Sequence, residues 1–78
     1  MITLKIISPE REVLSTTTDL VELPGMMGRF EVLTDHAQLI SSLTRGSIVY
    51  KDGSERRSVE IVGGFVEVRD NTVTVCIE

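Results

Sequence analysis

Apolar and polar residues alternate along almost the whole chain, which marks it as built of strands. Ile2, Leu4 and Ile6 alternate with Thr3 and Lys5, the pattern of a strand with one buried face. Ser8-Pro9-Glu10 breaks this run, because proline has no N–H to donate and fixes its own φ. Glu12-Val13-Leu14 opens a second strand, the β-branched run Thr16–Thr18 follows, and Asp19-Leu20-Val21-Glu22-Leu23 reads as a third. Pro24-Gly25 suits the central positions of a type II turn, after which Phe30-Glu31-Val32-Leu33 is a fourth strand.

The second half repeats the theme. Ser47–Tyr50 is expected to form a hairpin with Arg57–Val62 through Lys51-Asp52-Gly53-Ser54, where Asp-Gly is a strong turn signal. Phe65–Val68 and Val73–Ile77 are joined by Asp70-Asn71, a second hairpin-type connection. Gly63-Gly64 suggests a bulge or a corner between strands. One stretch leaves two readings open. Between Asp35 and Leu43 the apolar residues Ala37, Leu39, Ile40 and Leu43 fall at mixed spacing, compatible with a short helix or with a loop and a strand. Many short strands with turns between them predict an all-β sandwich or flattened barrel.

Composition narrows the class of function. The chain has 78 residues, the length of one domain, expected to span 1–78 without repeat or linker. Its net charge is −4 and only Arg56 and Arg57 among the basic residues are adjacent, so the clustered cations that neutralise phosphates are missing and nucleic acid is not an expected partner. No apolar run approaches the roughly 20 residues of a membrane helix, and the amino terminus opens directly into a strand pattern. Cys76 is the one cysteine, so neither an internal disulfide nor a multi-cysteine metal site can form; its position in the last strand reads as a small buried hydrophobe rather than a nucleophile.

Catalysis requires convergent groups, and the candidates are few. Asp35-His36 is the one acid–base pair in the sequence, and neighbours on an extended chain point to opposite faces. A single histidine leaves no second member for a triad or a His-rich metal centre. The glycines form no phosphate-binding loop. The chain is therefore expected to be non-catalytic, with no catalytic residue, cofactor or metal. What stands out is Pro24-Gly25-Met26-Met27-Gly28-Arg29, two methionines at a turn where polar residues are the norm. They either present an adaptable docking surface or fold back to plug the end of the sandwich.

The run from Leu23 to Ile40, LPGMMGRFEVLTDHAQLI, resembles the signature of the epsilon subunit of F-type ATP synthases. In that family a glycine-bearing turn leads to a short strand, then a His-Ala-Pro-Leu-Ile-like segment, then a strand opening with glycine. His36, Ala37, Leu39 and Ile40 match, Gly46-Ser47-Ile48 follows at the expected distance, and Val62–Val68 with Asn71–Val75 resembles the closing strands. Gln38 stands where proline is usual, and Thr34-Asp35 replaces a Pro-Gly turn.

The resemblance implies a flattened β-sandwich of two antiparallel sheets, about ten short strands. It implies a non-catalytic rotor subunit of the central stalk, linking the gamma subunit to the c-ring and coupling proton flow to ATP synthesis. The place implied is the cytoplasmic face of the bacterial inner membrane, peripheral and not inserted. Met26, Met27, Gly28 and Arg29 would face the c-ring. His36, Gln38, Leu39, Ile40 and Leu43 would face gamma, with core packing an open alternative for Leu39 and Ile40. The sandwich pattern closes at Glu78, without the family's carboxy-terminal helical hairpin, so neither that hairpin's inhibition of hydrolysis nor ATP binding is expected of these residues. The alternative of another class is a biotinyl- or lipoyl-type carrier, which needs a lysine at the tip of a tight hairpin; Lys51 is the only candidate.

Overall fold

A computed structural model describes residues 1–78, and every regular element in it is a strand. The strands are β1 (Ile2–Ile7), β2 (Glu12–Thr18), β3 (Leu20–Gly25), β4 (Gly28–Leu33), β5 (Leu39–Leu43), β6 (Gly46–Asp52), β7 (Glu55–Ile61), β8 (Gly64–Arg69) and β9 (Thr72–Ile77). They form one curled sheet in the order β2-β1-β9-β8-β5-β3-β6-β7, with β4 on β3. Two wings face each other as the layers of a sandwich, and a single ladder pair, Gly25 with Leu43, joins them. The count is nine rather than about ten. Every pairing is antiparallel except one: β1 and β9 run parallel, Leu4 beside Val73 and Ile6 beside Val75.

The alternation seen in the sequence becomes the core. Ile2, Leu4, Ile6, Val21, Leu23, Val32, Ile48, Val66, Val68, Val73 and Val75 are all buried, within one cluster of 14 residues. Full burial of a Val, Leu or Ile side chain is worth about 1.5–3 kcal/mol, so this cluster is the main favourable term. The open ends of the wings are stitched together by Thr18. Its hydroxyl donates to the Lys51 carbonyl at 2.8 Å and accepts from the Leu20 N–H at 3.3 Å.

The turns follow residue chemistry closely, with two shifts. At Asp70-Asn71 both residues take positive φ (51° and 59°), which a type I′ hairpin requires and Asp and Asn tolerate. In the β6–β7 hairpin Asp52 pairs with Glu55, so the turn residues are Gly53-Ser54 rather than Asp52-Gly53; Gly53 supplies the positive φ of 65°. The larger shift concerns Pro24-Gly25, which do not form a turn. Both are buried in β3, and Gly25 pairs with Gly28, leaving Met26-Met27 as the turn. Pro24 stands between the residues of β3 that pair with β6 (Val21, Glu22) and the one that pairs with β5 (Gly25). The ladder on that side is interrupted there, so a missing N–H leaves no hydrogen bond unmade.

The undecided stretch is a loop and a strand, not a helix. The His36 N–H donates to the Leu33 carbonyl at 3.2 Å, closing a turn in which Asp35 holds φ of 65°. Asp35 thus does, at the cost of some strain, what glycine does in a Pro-Gly turn. Gly63-Gly64 makes the expected corner. A Cβ on Gly64 would collide with the backbone of Cys76 and Ile77, so β8 and β9 close up only because no side chain is there.

Candidate functional site

Two surfaces emerge, sharing β5 as their common support. The first is the turn between β3 and β4. Met26 is 66% exposed and Met27 fully exposed, so neither plugs the sandwich. The turn is fixed from below: the Met26 N–H donates to the Ser42 carbonyl at 3.0 Å and the Thr44 N–H to the Pro24 carbonyl at 2.9 Å. Gly28, at φ of 127°, takes the conformation that returns the chain into β4 without forcing either methionine into positive φ. The Phe30 ring lies against Gly25, where a Cβ would come within 2.8 Å of it. Arg29 follows, exposed, its guanidinium 3.9 Å from Glu22.

Glu22 is a residue the sequence reading passed over. It sits on the outer side of β3 and accepts a 2.7 Å hydrogen bond from Arg56 of β7 while facing Arg29 of β4. Its ladder neighbour on β4 is Glu31, a like charge directly opposite. The two arginines offset that repulsion. Farther along β7, Arg57 is bonded to Asp52 and Glu55 at the hairpin; the hydrogen bond it donates to the Asp52 carboxylate raises the guanidinium pKa further.

The second surface lies at the start of β5 and on the outer side of β8. Gln38, Leu39 and Ile40 line an open recess of about 360 Å³ together with Glu67, Val68 and Arg69. Ile40 is 75% exposed. His36 and Leu43 are not part of it. His36 is half-buried, its ring Nδ1 donating to the Ala37 carbonyl at 2.8 Å. Leu43 is 4% exposed and belongs to the core, because β5 turns it toward the sandwich interior.

Beside this recess a row of outward residues crosses four strands and is apolar on three of them. Ser42, Phe65, Cys76 and Ile7 are successive ladder neighbours, and Phe65 is half-exposed. Ile7, Pro9, Phe65, Cys76 and Ile77 line a further recess of about 380 Å³. Phe65 was legible in principle: it shares the phase of Glu67 and Arg69, the outward residues of β8. Cys76 is half-buried in this row, less withdrawn than a core residue.

No acid–base site forms around His36. The Asp35 carboxylate accepts from Asn71 Nδ2 at 2.9 Å, away from the imidazole. No three His, Cys, Asp or Glu side chains gather in a metal-binding arrangement. Lys51 lies within β6, paired with Arg56, one position short of the hairpin's closing pair. No helix is long and apolar enough to cross a membrane.

Comparison with known proteins agrees on one family. Residues 1–78 match the family described as "ATP synthase, Delta/Epsilon chain, beta-sandwich domain". The ATP synthase epsilon chain of Nitratidesulfovibrio vulgaris (strain DSM 19637 / Miyazaki F) is 44% identical over 75 residues, covering 96% of this chain and 56% of that one. The chain thus spans about half that relative's length. The ATP synthase epsilon chain of Caulobacter vibrioides is 37% identical, covering 94% of this chain and 85% of the relative. Among solved structures, a chain of the Euglena gracilis mitochondrial ATP synthase (OSCP/F1/c-ring, rotational state 1) superposes with a TM-score of 0.90 at 22% identity, over 97% of this chain and 49% of that one. That likeness concerns the fold.

Proposed function

Because the chain belongs to the β-sandwich domain family of the ATP synthase delta and epsilon chains, we propose that it is a non-catalytic rotor element linking the gamma subunit to the c-ring. In this reading proton flow turns the c-ring, and the domain helps pass that rotation to the stalk and so to ATP synthesis elsewhere in the complex. The partners are gamma and the c-ring, and the location is the cytoplasmic face of the bacterial inner membrane, held there through the complex.

One observation supports the division of labour best. Strand β5 carries Leu39 and Ile40 at one end, and at the other its Ser42 carbonyl is hydrogen-bonded to the methionine turn. Leu39 and Ser42 are three residue steps apart, about 10 Å along a strand. β5 is also laddered to β8 over its whole length, from Leu39–Val68 to Leu43–Gly64. A load applied at the methionine turn therefore reaches the Ile40 surface through backbone hydrogen bonds and close-packed core rather than through a flexible loop. Torque transfer needs that stiffness.

Met26, Met27, Gly28 and Arg29 are assigned to the c-ring contact. Gln38, Leu39 and Ile40 are assigned to gamma, with His36 flanking them outside the recess and Leu43 supporting them from the core. The test is co-purification. The chain should retain gamma under mild salt, and a chain with Met26, Met27 and Arg29 all replaced by Ser should keep its fold and its gamma binding while losing the c-ring. Absence of gamma from the wild-type pull-down would sink the assignment.

A further inference from the structure

The ladder sorts the turns into two ends of the sandwich. At one end Gly25 pairs with Leu43 and Leu43 with Gly64, which brings together the Met26-Met27 turn, the Thr44-Arg45 turn and the Val62-Gly63 corner, with the Ser8–Arg11 turn farther across the same end beyond Cys76 and Ile7. At the other, the amino terminus bonds Thr34 and lies 3.8 Å from Asp19, Asp35 bonds Asn71, and Thr18 bonds the Lys51 carbonyl beside the β6–β7 hairpin. That second end holds Asp19, Asp35, Asp52, Glu55 and Asp70.

The ground around the methionine turn has a locally opposite character, on a chain whose net charge is −4. No Asp or Glu occurs from Leu23 to Phe30 or from Leu39 to Lys51. The cations beside the methionine turn are Arg29 and Arg45, on either side of Pro24. Arg29 is the ladder partner of Pro24, and the Arg45 turn is bonded to Pro24 through Thr44 and packed on it at Gly46, where a Cβ would lie 2.9 Å from the proline ring. Three carboxylates approach this part of the surface, and one of them, Glu60 of β7, accepts a hydrogen bond from the Ser47 hydroxyl. Glu22 is engaged at 2.7 Å by Arg56 and stands 3.9 Å from Arg29, and Glu78 lies beside Gly63. Arg45 forms no ion pair with any carboxylate of the chain, and its side chain is exposed.

We propose that Arg45 is a second cationic contact of the docking end, so that Met26, Met27, Arg29 and Arg45 form one surface for a protein loop bearing acidic side chains. The proposal rests on the c-ring reading above and names the chemistry its loops must present. A protein occupant fits better than a lipid surface. Basic sites for anionic lipid gather about four to eight Lys and Arg, whereas two stand here on a net-acidic chain. Exposed methionines suit an adaptable protein contact.

The test titrates the chain, bound to its gamma subunit, against the detergent-solubilised c-ring of its own ATP synthase at low and at physiological salt. Arg45→Gln should weaken binding about threefold and Arg45→Glu about tenfold, while Arg45→Lys should stay within about twofold, the range expected for a solvent-exposed charge contact. These losses should shrink as salt rises. Melting curves establish that each variant is folded, and if Arg45→Glu is not, Arg45→Gln decides. Unchanged binding by folded Arg45 variants, with the Met26, Met27 and Arg29 triple variant weakened, overturns the role of Arg45 and leaves the rotor reading intact. No binding by the wild type overturns both. Wild-type binding to vesicles containing anionic lipid as tight as to the c-ring overturns the protein occupant.

Discussion

Asp35 and Asn71, 36 residues apart, hydrogen-bond each other in both directions: the Asp35 N–H donates to Asn71 Oδ1 at 2.6 Å, and Asn71 Nδ2 donates to Asp35 Oδ1 at 2.9 Å. Both residues hold a left-handed backbone, and the Asn71 carbonyl also accepts from the Thr3 N–H. One residue therefore ties the loop before β5 to the β8–β9 hairpin and to β1. This pair fixes the base from which His36, Gln38 and Leu39 project.

Asn71→Ala should lower stability by about 1–2 kcal/mol, combining the lost hydrogen bonds with the strain of a left-handed alanine. Asn71→Gly removes the side-chain bonds and leaves no such strain, so its loss should be the smaller of the two. Urea denaturation of both variants separates the contributions. Equal losses would mean that the backbone conformation carries no part of the effect.

Gly64 offers a sharper test of packing. A Cβ there meets the Cys76 carbonyl, and its φ is 146°. Gly64→Ala should cost about 3 kcal/mol or more, since β8 and β9 must separate to accept it. Gly53→Ala, at φ of 65° but with open space around it, should cost only about 1–2 kcal/mol. A thermal melt in which both variants fall equally would contradict the close approach of the two strands.

Much of this was readable in advance, and the reasons differ by element. Asp70-Asn71 was legible because the residue types themselves tolerate the backbone the turn requires. The burial of Ile2, Leu4, Ile6, Val66, Val68, Val73 and Val75 followed from period-two alternation. Pro24 misled because its missing N–H is a local property, while the gap between β5 and β6 that accommodates it is a property of the whole sheet. The parallel pairing of β1 with β9 and the joining of the two wings at Gly25 and Leu43 likewise arise from contacts far apart in sequence. The methionine turn was visible as chemistry in the wrong place; Glu22, engaged by arginines of two other strands, required the fold.

Thr18 should act as the latch of the sandwich. Thr18→Val keeps the shape and removes the hydroxyl, leaving the Lys51 carbonyl and the Leu20 N–H without that partner. A loss of about 1–3 kcal/mol is expected. Amide exchange should accelerate at Leu20 more than at Val75, which lies two strands from Thr18 in the buried core. Uniform acceleration at both sites would instead indicate global destabilisation with no local opening.

The two ends of β5 provide the most direct separation of core from contact. Leu43 is 4% exposed and Ile40 75% exposed. Leu43→Ala should therefore leave a cavity and cost about 2–5 kcal/mol. Ile40→Ala should change stability by no more than about 0.5 kcal/mol, the usual effect of a surface substitution. Binding should reverse the order. Ile40→Asp places a charge in the recess beside Glu67, and should weaken gamma binding about tenfold if Ile40 is an anchor of that interface. Leu43→Ala, assayed at a temperature where it is folded, should bind gamma within about twofold of wild type, because the residue reaches the interface only through the core. Calorimetric titration of both variants against gamma, with melting curves alongside, reads stability and affinity separately. If Ile40→Asp binds as wild type, the gamma surface must be sought instead on the Phe65, Cys76 and Ile7 row, the other exposed apolar ground beside β5.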